Sequence, residues 1–388
     1  MFNRIFKFFS SLRLTVVCLG LAVVLVFLGT LAQVNEGLYL AQSRWFRSFF
    51  VWLGPEGAGW KVPVFPGGYL LGTVLLANLV AAHFKRFQLS WKKLGINVTH
   101  AGIILLLVGQ LATDMLSRET QMRFGKGETR TYSSSILRNE LVFMTDSGKP
   151  GEDEVVSIPE SLLREKGEIK TDKLPFTVRV KEFDLNSFVR QRGPMVDTNA
   201  PPATRGIGVE AVLVPQPEER DPEKHNFPSA IIELAGPKES LGTWLVSTDL
   251  AEPQEVQFGG KVWRVALRGE RQYLPYSVQL LKMTYEVYPG TDIPKNFQSR
   301  VRIENPGRGE NREVDIYMNN PLRYEGLTFY QYQMGRDEMK NNRDSSTLQV
   351  VKNPSWMTPY AGCIMVAGGM SIQFLMHLTG FISKRRKR

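Results

Sequence analysis

Four long apolar segments constrain the fold of this 388-residue chain more than any other sequence feature. They cover residues 14–33, 69–84, 95–115 and 359–378. A membrane-crossing helix needs about 20 mostly apolar residues, and these segments reach or approach that length. One such segment is often a buried core helix of a soluble protein. Four of them, each with basic residues on one side only, instead predict four membrane spans.

The positions of lysine and arginine predict how the spans are oriented. Residues 1–13, the loop 84–95 and the tail 384–388 together hold twelve basic residues and no acidic residue. The whole chain has a net charge of +10, so the remainder carries −2. Because basic loops stay on the cytoplasmic side, both termini and this loop are expected in the cytoplasm. The basic composition therefore reflects insertion in a lipid bilayer, and no nucleic-acid partner is predicted.

The first span also resembles a secretory signal peptide, because a basic segment precedes it. Its apolar run is longer than is usual for a signal peptide, and it lacks an Ala-x-Ala cleavage site. We therefore expect a retained anchor. The predicted parts are the N-terminus with the first span (1–33), an outer loop with an interfacial helix (34–67), the second and third spans with their basic loop (68–115), an outer β-rich domain (116–357), and the fourth span with the tail (358–388).

Residues 38–54 of the outer loop place aromatic residues at helical spacing, with polar residues on the other side. This pattern is typical of a helix that lies along lipid headgroups. It is equally typical of a helix packed on the protein's own outer domain.

The long outer segment predicts an extracytoplasmic all-β, sandwich-like domain. Its short runs of β-branched and aromatic residues are separated by Gly, Pro, Asn and Asp. A short helix is expected near 158–165, and the Pro-rich, charged stretch 191–223 predicts a long loop or insertion. The predicted strands are 176–185, 229–236, 261–270, 277–288, 299–305, 313–319, 327–334 and 346–352.

The chain has two cysteines, Cys18 and Cys363. Two cysteines this far apart exclude a four-cysteine zinc site and any Cys-x-x-Cys redox or haem-attachment motif, and both are expected to be inert thiols. The Gly125-Lys126-Gly127 run lacks the spacing of a phosphate loop. No hydrolase, kinase or dehydrogenase signature is present, so the isolated chain is not predicted to be an enzyme.

Three of the four histidines lie at the cytoplasmic ends of apolar segments: His83, His100 and His377. An imidazole at the level of the headgroups is a common interfacial feature. Ionisable residues inside spans are nevertheless functional candidates, and a neutral imidazole is a natural axial ligand of haem iron. The basic loop 84–95 could meet the haem propionates. The fourth histidine, His225, is expected to be an exposed surface residue.

The third span places His100 on one helical face with Ile103, Ile104 and Leu107, which could flank a porphyrin. Gly102 and Gly109 permit the close approach of a neighbouring helix or of a flat ligand. Both alternatives, a neighbouring helix and a flat ligand, are open at this level.

Several segments together resemble the ResB/CcsB family of system II cytochrome c biogenesis. FFSSLRLTVVCLGLAVVLVFLGTLAQ resembles the family's first span, and THAGIILLLVGQL is similar to its third-span pattern. KMTYEVYPGTDIPKNFQSRVRI and VDIYMNNPLRYEGLTFYQYQM resemble outer-domain motifs. The most specific of these is Asn-x-Pro-Leu-x-Tyr-x-Gly followed by Phe-Tyr-Gln. The resemblance runs in order over nearly the whole chain.

This resemblance implies a non-catalytic subunit that pairs with a CcsA/ResC-type membrane partner. The pair would move haem b across the membrane to apocytochrome c, whose thiols thioredoxin-like proteins keep reduced. His100 matches the family's membrane histidine and is the expected iron ligand, whereas His83 and His377 match no family motif. The chain stops after the fourth span and has no Trp-rich haem-handling segment. It is therefore expected to need its partner for haem attachment.

Two other classes of function remain open at this level. A four-span anchor could dock its β domain on another complex without touching haem. The chain could also be an accessory subunit of a transporter for another ligand.

Overall fold

The structure, a computed structural model, describes residues 2–54, 60–88, 90–149, 151–193, 203–219, 225–237, 239–291, 294–337 and 343–386. The chain divides into two compact units. The helical unit comprises Met1–Arg118 and Asn353–Arg388, and the β unit comprises Glu119–Glu219 and Lys224–Lys352.

The helices are α1 (Phe2–Phe9), α2 (Leu12–Glu36), α3 (Leu38–Ala41), α4 (Gly68–Arg86), α5 (Leu94–Leu116), α6 (Glu160–Arg164) and α7 (Thr358–Arg386). Four of them, α2, α4, α5 and α7, are long and apolar enough to cross a membrane. This confirms the prediction of four spans beside a large β-rich domain. Each helix begins and ends within a few residues of the predicted span except α7, which continues into the basic tail.

Helices α5 and α7 pack closely through small residues. Gly95, Gly102 and Gly109 are spaced seven residues apart, so they line one face of α5. Added methyl groups would clash there: a Cβ on Gly102 would lie 2.9 Å from the Gly362 carbonyl oxygen, and one on Gly95 would lie 2.6 Å from that of Gly369. The glycines of the third span therefore admit a neighbouring helix.

A buried asparagine, Asn78 of α4, connects α4 to the junction between α1 and α2. Its amide donates hydrogen bonds to the carbonyl oxygens of Phe9 (2.6 Å) and Ser11 (3.0 Å), and it accepts one from the Thr15 hydroxyl (2.6 Å). These carbonyls lie where the helical hydrogen-bond ladder is interrupted, and buried backbone groups need a partner. Asn78 thereby positions the start of the first span.

The predicted helix in 38–54 is wrong in its second half. The helical segment is α3 followed by a π-helical turn, Gln42–Phe46. The chain then forms a hairpin of β1 (Phe50–Leu53) and β2 (Val62–Pro66). The reason is local packing: Trp45 and Phe46 contact the buried cluster of Leu25, Val51 and Leu71, and the aromatic residues that follow pair in strands. Phe49, Phe50 and Trp52 remain exposed.

The β unit contains sixteen strands in the part that the structure describes. They are β3 (Arg118–Gly125), β4 (Thr129–Asp146), β5 (Asp153–Pro159), β6 (Gly167–Ile169), β7 (Thr177–Asp184), β8 (Ser187–Gln191), β9 (Ala211–Pro215), β10 (Ser229–Ala235), β11 (Ser240–Ser247), β12 (Gln254–Phe258), β13 (Lys261–Val287), β14 (Pro294–Asn305), β15 (Glu310–Tyr317), β16 (Leu322–Tyr324), β17 (Leu327–Asp337) and β18 (Arg343–Lys352).

The long strand β13 links two hydrophobic cores, and the long strand β4 pairs with it. In the first core, the four-stranded sheet β11-β10-β7-β6 packs against β4, β5, β12 and the start of β13. In the second, the end of β13 packs with β3 and β14 to β18. Buried residues alternate with half-buried or exposed ones along β13, as expected for a sheet with one face in a core.

The stretch 191–223 is not a plain loop, which corrects the prediction made for it. It contains a 3₁₀ turn, Gly206–Val209, and strand β9, which pairs with β8. Leu213 of β9 is fully buried and packs with Ile231 and Leu245. That burial outweighs the Pro-rich composition of the flanks. Residues 194–202 and 220–224 lie outside the described part of the chain.

Candidate functional site

The structure brings two of the three membrane histidines together. His83 lies near the end of α4 and His100 lies on the first half of α5. Their ring centroids are 6.0 Å apart, and the ring planes meet at 80°. Both side chains are partly buried, and the Phe87 ring lies 5.3 Å from that of His83. Two imidazoles thus face each other beside an aromatic ring at one end of the α4–α5 pair.

The third histidine, His377, is exposed on α7. Its Nε2 lies 2.7 Å from Nε2 of Gln373, the residue that packs against Gly95. Since α7 covers the glycine face of α5, it lies on the side of α5 away from His100, which is about 160° around the helix from Gly102. The structure therefore does not bring His377 into the histidine pair. His225 is exposed in the β unit, as predicted.

The helix faces that carry the histidine pair continue towards the other end of the two helices. Tyr69, Leu76 and His83 are spaced seven residues apart on α4, and on α5 His100 and Leu107 have the same spacing. Seven residues are nearly two helical turns, so each series lies along one face. Leu76 and Leu107 line a common cavity of about 500 Å³ between α2, α4, α5 and the π-helical turn.

A polar cluster lies in this cavity and was missed by the sequence reasoning. Asp114 lies seven residues after Leu107 and therefore on the same face of α5. Its carboxylate accepts a hydrogen bond from the Tyr69 hydroxyl and forms a 3.1 Å ion pair with Nε of Arg47. Only 16 % of the Asp114 side chain is exposed. Gln33, Gln42 and Gln110 also line the cavity. The available signal was an acidic residue inside an apolar span, which indicates a functional candidate.

Both cysteines are free; Cys18 is buried and Cys363 is exposed. The described residues contain no group of three or more His, Cys, Asp or Glu side chains arranged for a metal ion.

The outer-domain motifs that carried the resemblance build the second core. Leu322, Tyr324 and Phe329 are buried in the hairpin of β16 and β17, whose turn holds Glu325 and Gly326 at φ 50° and 73°. The Gln331 side chain accepts a hydrogen bond from Ser299 (2.7 Å) and donates one to Ser346 (3.2 Å). These residues are specific because a packed core needs them.

Hydrogen bonds and burial shift several pKa values in the β unit. The bond from the Tyr324 hydroxyl lowers the pKa of Glu310. Burial raises the pKa of Tyr276, and burial together with the neighbouring Asp184 raises the pKa of Glu182. No cluster of these groups resembles a catalytic site.

A comparison with known families matches the model of the ResB-like family to residues 256–343. This range begins in β12 and covers the long strand β13 and the motif hairpin. Protein NrfI of Wolinella succinogenes is 23 % identical over 309 residues, which are 78 % of this chain. The alignment spans 29 % of the length of that relative. The family match, this relative and the order of the apolar helices around a β-rich domain make the chain similar to the ResB-like family.

Proposed function

We propose that this chain is a membrane subunit that acts in cytochrome c biogenesis and holds haem in transit across the membrane. The match of residues 256–343 to the ResB-like family supports the biogenesis role. The haem-binding role is supported by one observation above all, the pairing of His83 and His100 between two membrane helices. Haem is here the cargo of the protein, and His100 is its principal ligand.

The spacing of the two imidazoles fits a shared iron. A metal–imidazole bond is about 2 Å long, so rings that bind one iron from opposite sides have centroids about 6 Å apart. The observed distance is 6.0 Å. His83 can therefore act as the second ligand within the chain. A histidine of a CcsA/ResC-type partner could occupy the same coordination position in the assembled complex.

Positive charge at the same end of α5 as His100 fits the two haem propionates. Lys92 and Lys93 form the 3₁₀ turn directly before α5. Lys85 lies on the Asn78 side of α4, away from His83, and its ammonium donates a 3.0 Å hydrogen bond to the Ser10 hydroxyl. Charge-assisted contacts with carboxylates are the strongest hydrogen bonds available at such a site.

In this proposal the histidine pair and both termini face the cytoplasm, and the β unit faces the outer side. The β unit would there shield the exit and position apocytochrome c, whose thiols other proteins reduce. The chain itself supplies binding and orientation, while the thioether-forming reaction belongs to the assembled complex with its partner.

The test is to purify the chain with its membrane partner and measure bound haem and its absorbance spectrum. His100→Ala is expected to lower haem content at least several-fold. His83→Ala is expected to change the low-spin absorbance spectrum that haem with two imidazole ligands should give. His225→Ala is the matched control, because His225 is exposed in the β unit. Unchanged haem in both His100→Ala and His83→Ala would contradict the proposal. It would favour an assembly subunit without haem contact.

A further inference from the structure

The cavity at the other end of the α4–α5 face also has the features of a ligand site. It holds about 500 Å³ and combines an apolar wall with one cationic, one anionic and one phenolic side chain. Small-molecule and cofactor sites typically occupy about 300–1,000 Å³ and have this mixture of surfaces. We propose that this cavity is a second haem station, in which Tyr69 binds the iron and Arg47 binds a propionate.

This inference rests on the proposed haem-carrying function, and it adds a site that the histidines do not form. Tyr69 and His83 are fourteen residues apart on one face of α4, which is about 21 Å along the helix. Asp114 and His100 are equally far apart on α5. The two stations would therefore lie on one continuous face, near opposite sides of the membrane.

Phenolate oxygen is an established class of axial haem ligand. The Tyr69 hydroxyl donates its hydrogen bond to Asp114, so the acceptor for its proton is already in contact. When iron binds, the Tyr69 O–H bond breaks, an oxygen–iron bond forms, and the proton goes to the Asp114 carboxylate. A neutral Asp114 no longer balances the charge of Arg47. The guanidinium is then free to bind a propionate, and the net charge is conserved.

The remaining walls of the cavity suit a flat apolar ring. Leu76, Leu107 and Leu111 supply the apolar surface. Gly72 lines the same cavity, and a Cβ added there would meet no atom within 4 Å. The opposite wall includes Gln42 and Phe46 of the π-helical turn. Single π-helical turns are rare and occur frequently at functional sites.

The experiment uses the full-length chain in detergent and ferric haem as the probe. A variant with His83→Ala, His100→Ala and His377→Ala removes the membrane imidazoles and leaves Tyr69. It is expected to bind haem with the high-spin spectrum and the phenolate-to-iron charge-transfer band of tyrosinate ligation. Adding Tyr69→Phe is expected to abolish that band and to weaken haem binding at least tenfold.

Tyr360→Phe is the matched control, because Tyr360 is an exposed tyrosine on α7, away from the cavity. Gly72→Leu is a second variant, which fills the cavity and keeps the phenol; it is expected to weaken binding as Tyr69→Phe does. Resonance Raman bands of an iron–phenolate bond give a readout that a purely structural role of Tyr69 would not produce.

The outcomes separate the two proposals. Loss of the low-spin spectrum in His100→Ala alone tests the histidine station and does not depend on Tyr69. If the chain without the three membrane histidines binds no haem, or binds it with a spectrum that Tyr69→Phe leaves unchanged, the second station is disproved. Failure of the His100 test with a persistent tyrosinate band would instead disprove the histidine station and retain the outer one.

Discussion

Two neighbouring tyrosines in the second core differ in how their hydroxyl groups are satisfied. Tyr276 and Tyr324 are both buried, and their ring centroids are 4.9 Å apart. The Tyr324 hydroxyl donates to Glu310 (2.7 Å) and accepts from Asn305 (2.9 Å). The Tyr276 hydroxyl has no partner among the described residues. An unsatisfied buried polar group costs free energy, whereas a satisfied one is roughly neutral or favourable.

We expect the same substitution to act in opposite directions at these two positions. Tyr324→Phe should lower the free energy of unfolding by about 1–2 kcal/mol, because Glu310 and Asn305 lose a partner. Tyr276→Phe should leave it unchanged or raise it by up to about 1 kcal/mol. Thermal unfolding of the full chain in detergent, followed by near-ultraviolet circular dichroism, measures both. Equal losses at the two positions would contradict the assignment of hydrogen bonds.

A pair of carboxyl groups on β7 makes the stability of the β unit depend on pH. Burial, followed by the charge of Asp184, raises the pKa of Glu182; burial also raises the pKa of Asp184. A raised folded-state pKa contributes stability that is fully present below the unfolded value and is lost as pH rises through the folded value. The two groups therefore favour folding at acid pH.

Glu182→Gln should consequently be more stable than the unmodified protein at pH 7. The difference should shrink as pH falls and disappear below about pH 4, where the unfolded carboxyl is also protonated. The measurement is the melting temperature of both proteins across this range. Glu154→Gln, at an exposed position, is the matched control. A difference that is independent of pH would show that titration of Glu182 is not its cause.

At the scale of elements, the positions of residues around α4 and α5 show which neighbour each helix face contacts. The glycine face of α5 admits α7, and the opposite face carries His100 towards α4. On α4, the Asn78 side contacts the α1–α2 junction, whereas the His83 side contacts α5. On both α4 and α5, the histidine therefore lies on a different face from the helix contact made by Asn78 or by the glycines. This division makes the α4–α5 face the functional candidate.

Two adjacent glycines of α7 provide a matched test of the α5–α7 contact. A Cβ on Gly369 would lie 2.6 Å from the Thr99 backbone nitrogen, whereas one on Gly368 would meet nothing within 4 Å. Gly369→Leu should therefore destabilise the helical unit by about 1–3 kcal/mol through overpacking. Gly368→Leu carries the same gain in helix propensity and should be tolerated. Melting temperatures in detergent compare the two, and equal behaviour would contradict the close packing.

At the scale of the whole molecule, the chain combines a helical unit with few buried charges and a β unit that has its own cores. Both cores of the β unit are built within Glu119–Lys352; β4 contributes to the first core and β13 to both. The proposed sidedness depends on the distribution of basic residues alone.

Cysteine labelling tests this sidedness. In a chain with Cys18→Ala and Cys363→Ala, Ser90→Cys reports on the basic loop and Ser147→Cys on the β unit; both positions are exposed. A membrane-impermeant thiol reagent added to intact cells should label Ser147→Cys and leave Ser90→Cys unlabelled until the membrane is opened. The reverse pattern would overturn the predicted orientation.

The sequence alone was sufficient for the four spans and for most strands of the β unit, because both depend on local apolar content and periodicity. The prediction from sequence was less reliable where contacts with residues far along the chain decide the local structure. Residues 261–270 and 277–288 were predicted as two strands because Pro275 lies between them, but they form one strand, β13. The ladder between β13 and β4 is interrupted around Pro275, from Tyr273 to Val278. Pro275 has no backbone N–H to donate to the ladder, and none is needed where the ladder is interrupted, so the strand continues through it.

For the candidate site, the sequence determined which imidazoles lie near the ends of apolar spans, since a residue's depth follows from its place in an apolar run. Only the tertiary structure decided which of them meet. His83 and His100 pair because their helices present facing sides, whereas His377 lies behind the glycine contact of α5. The same facing sides assemble Tyr69, Asp114 and Arg47 from three separate segments. Such neighbourhoods depend on helix rotation and on which helices are adjacent, and packing across the chain sets both.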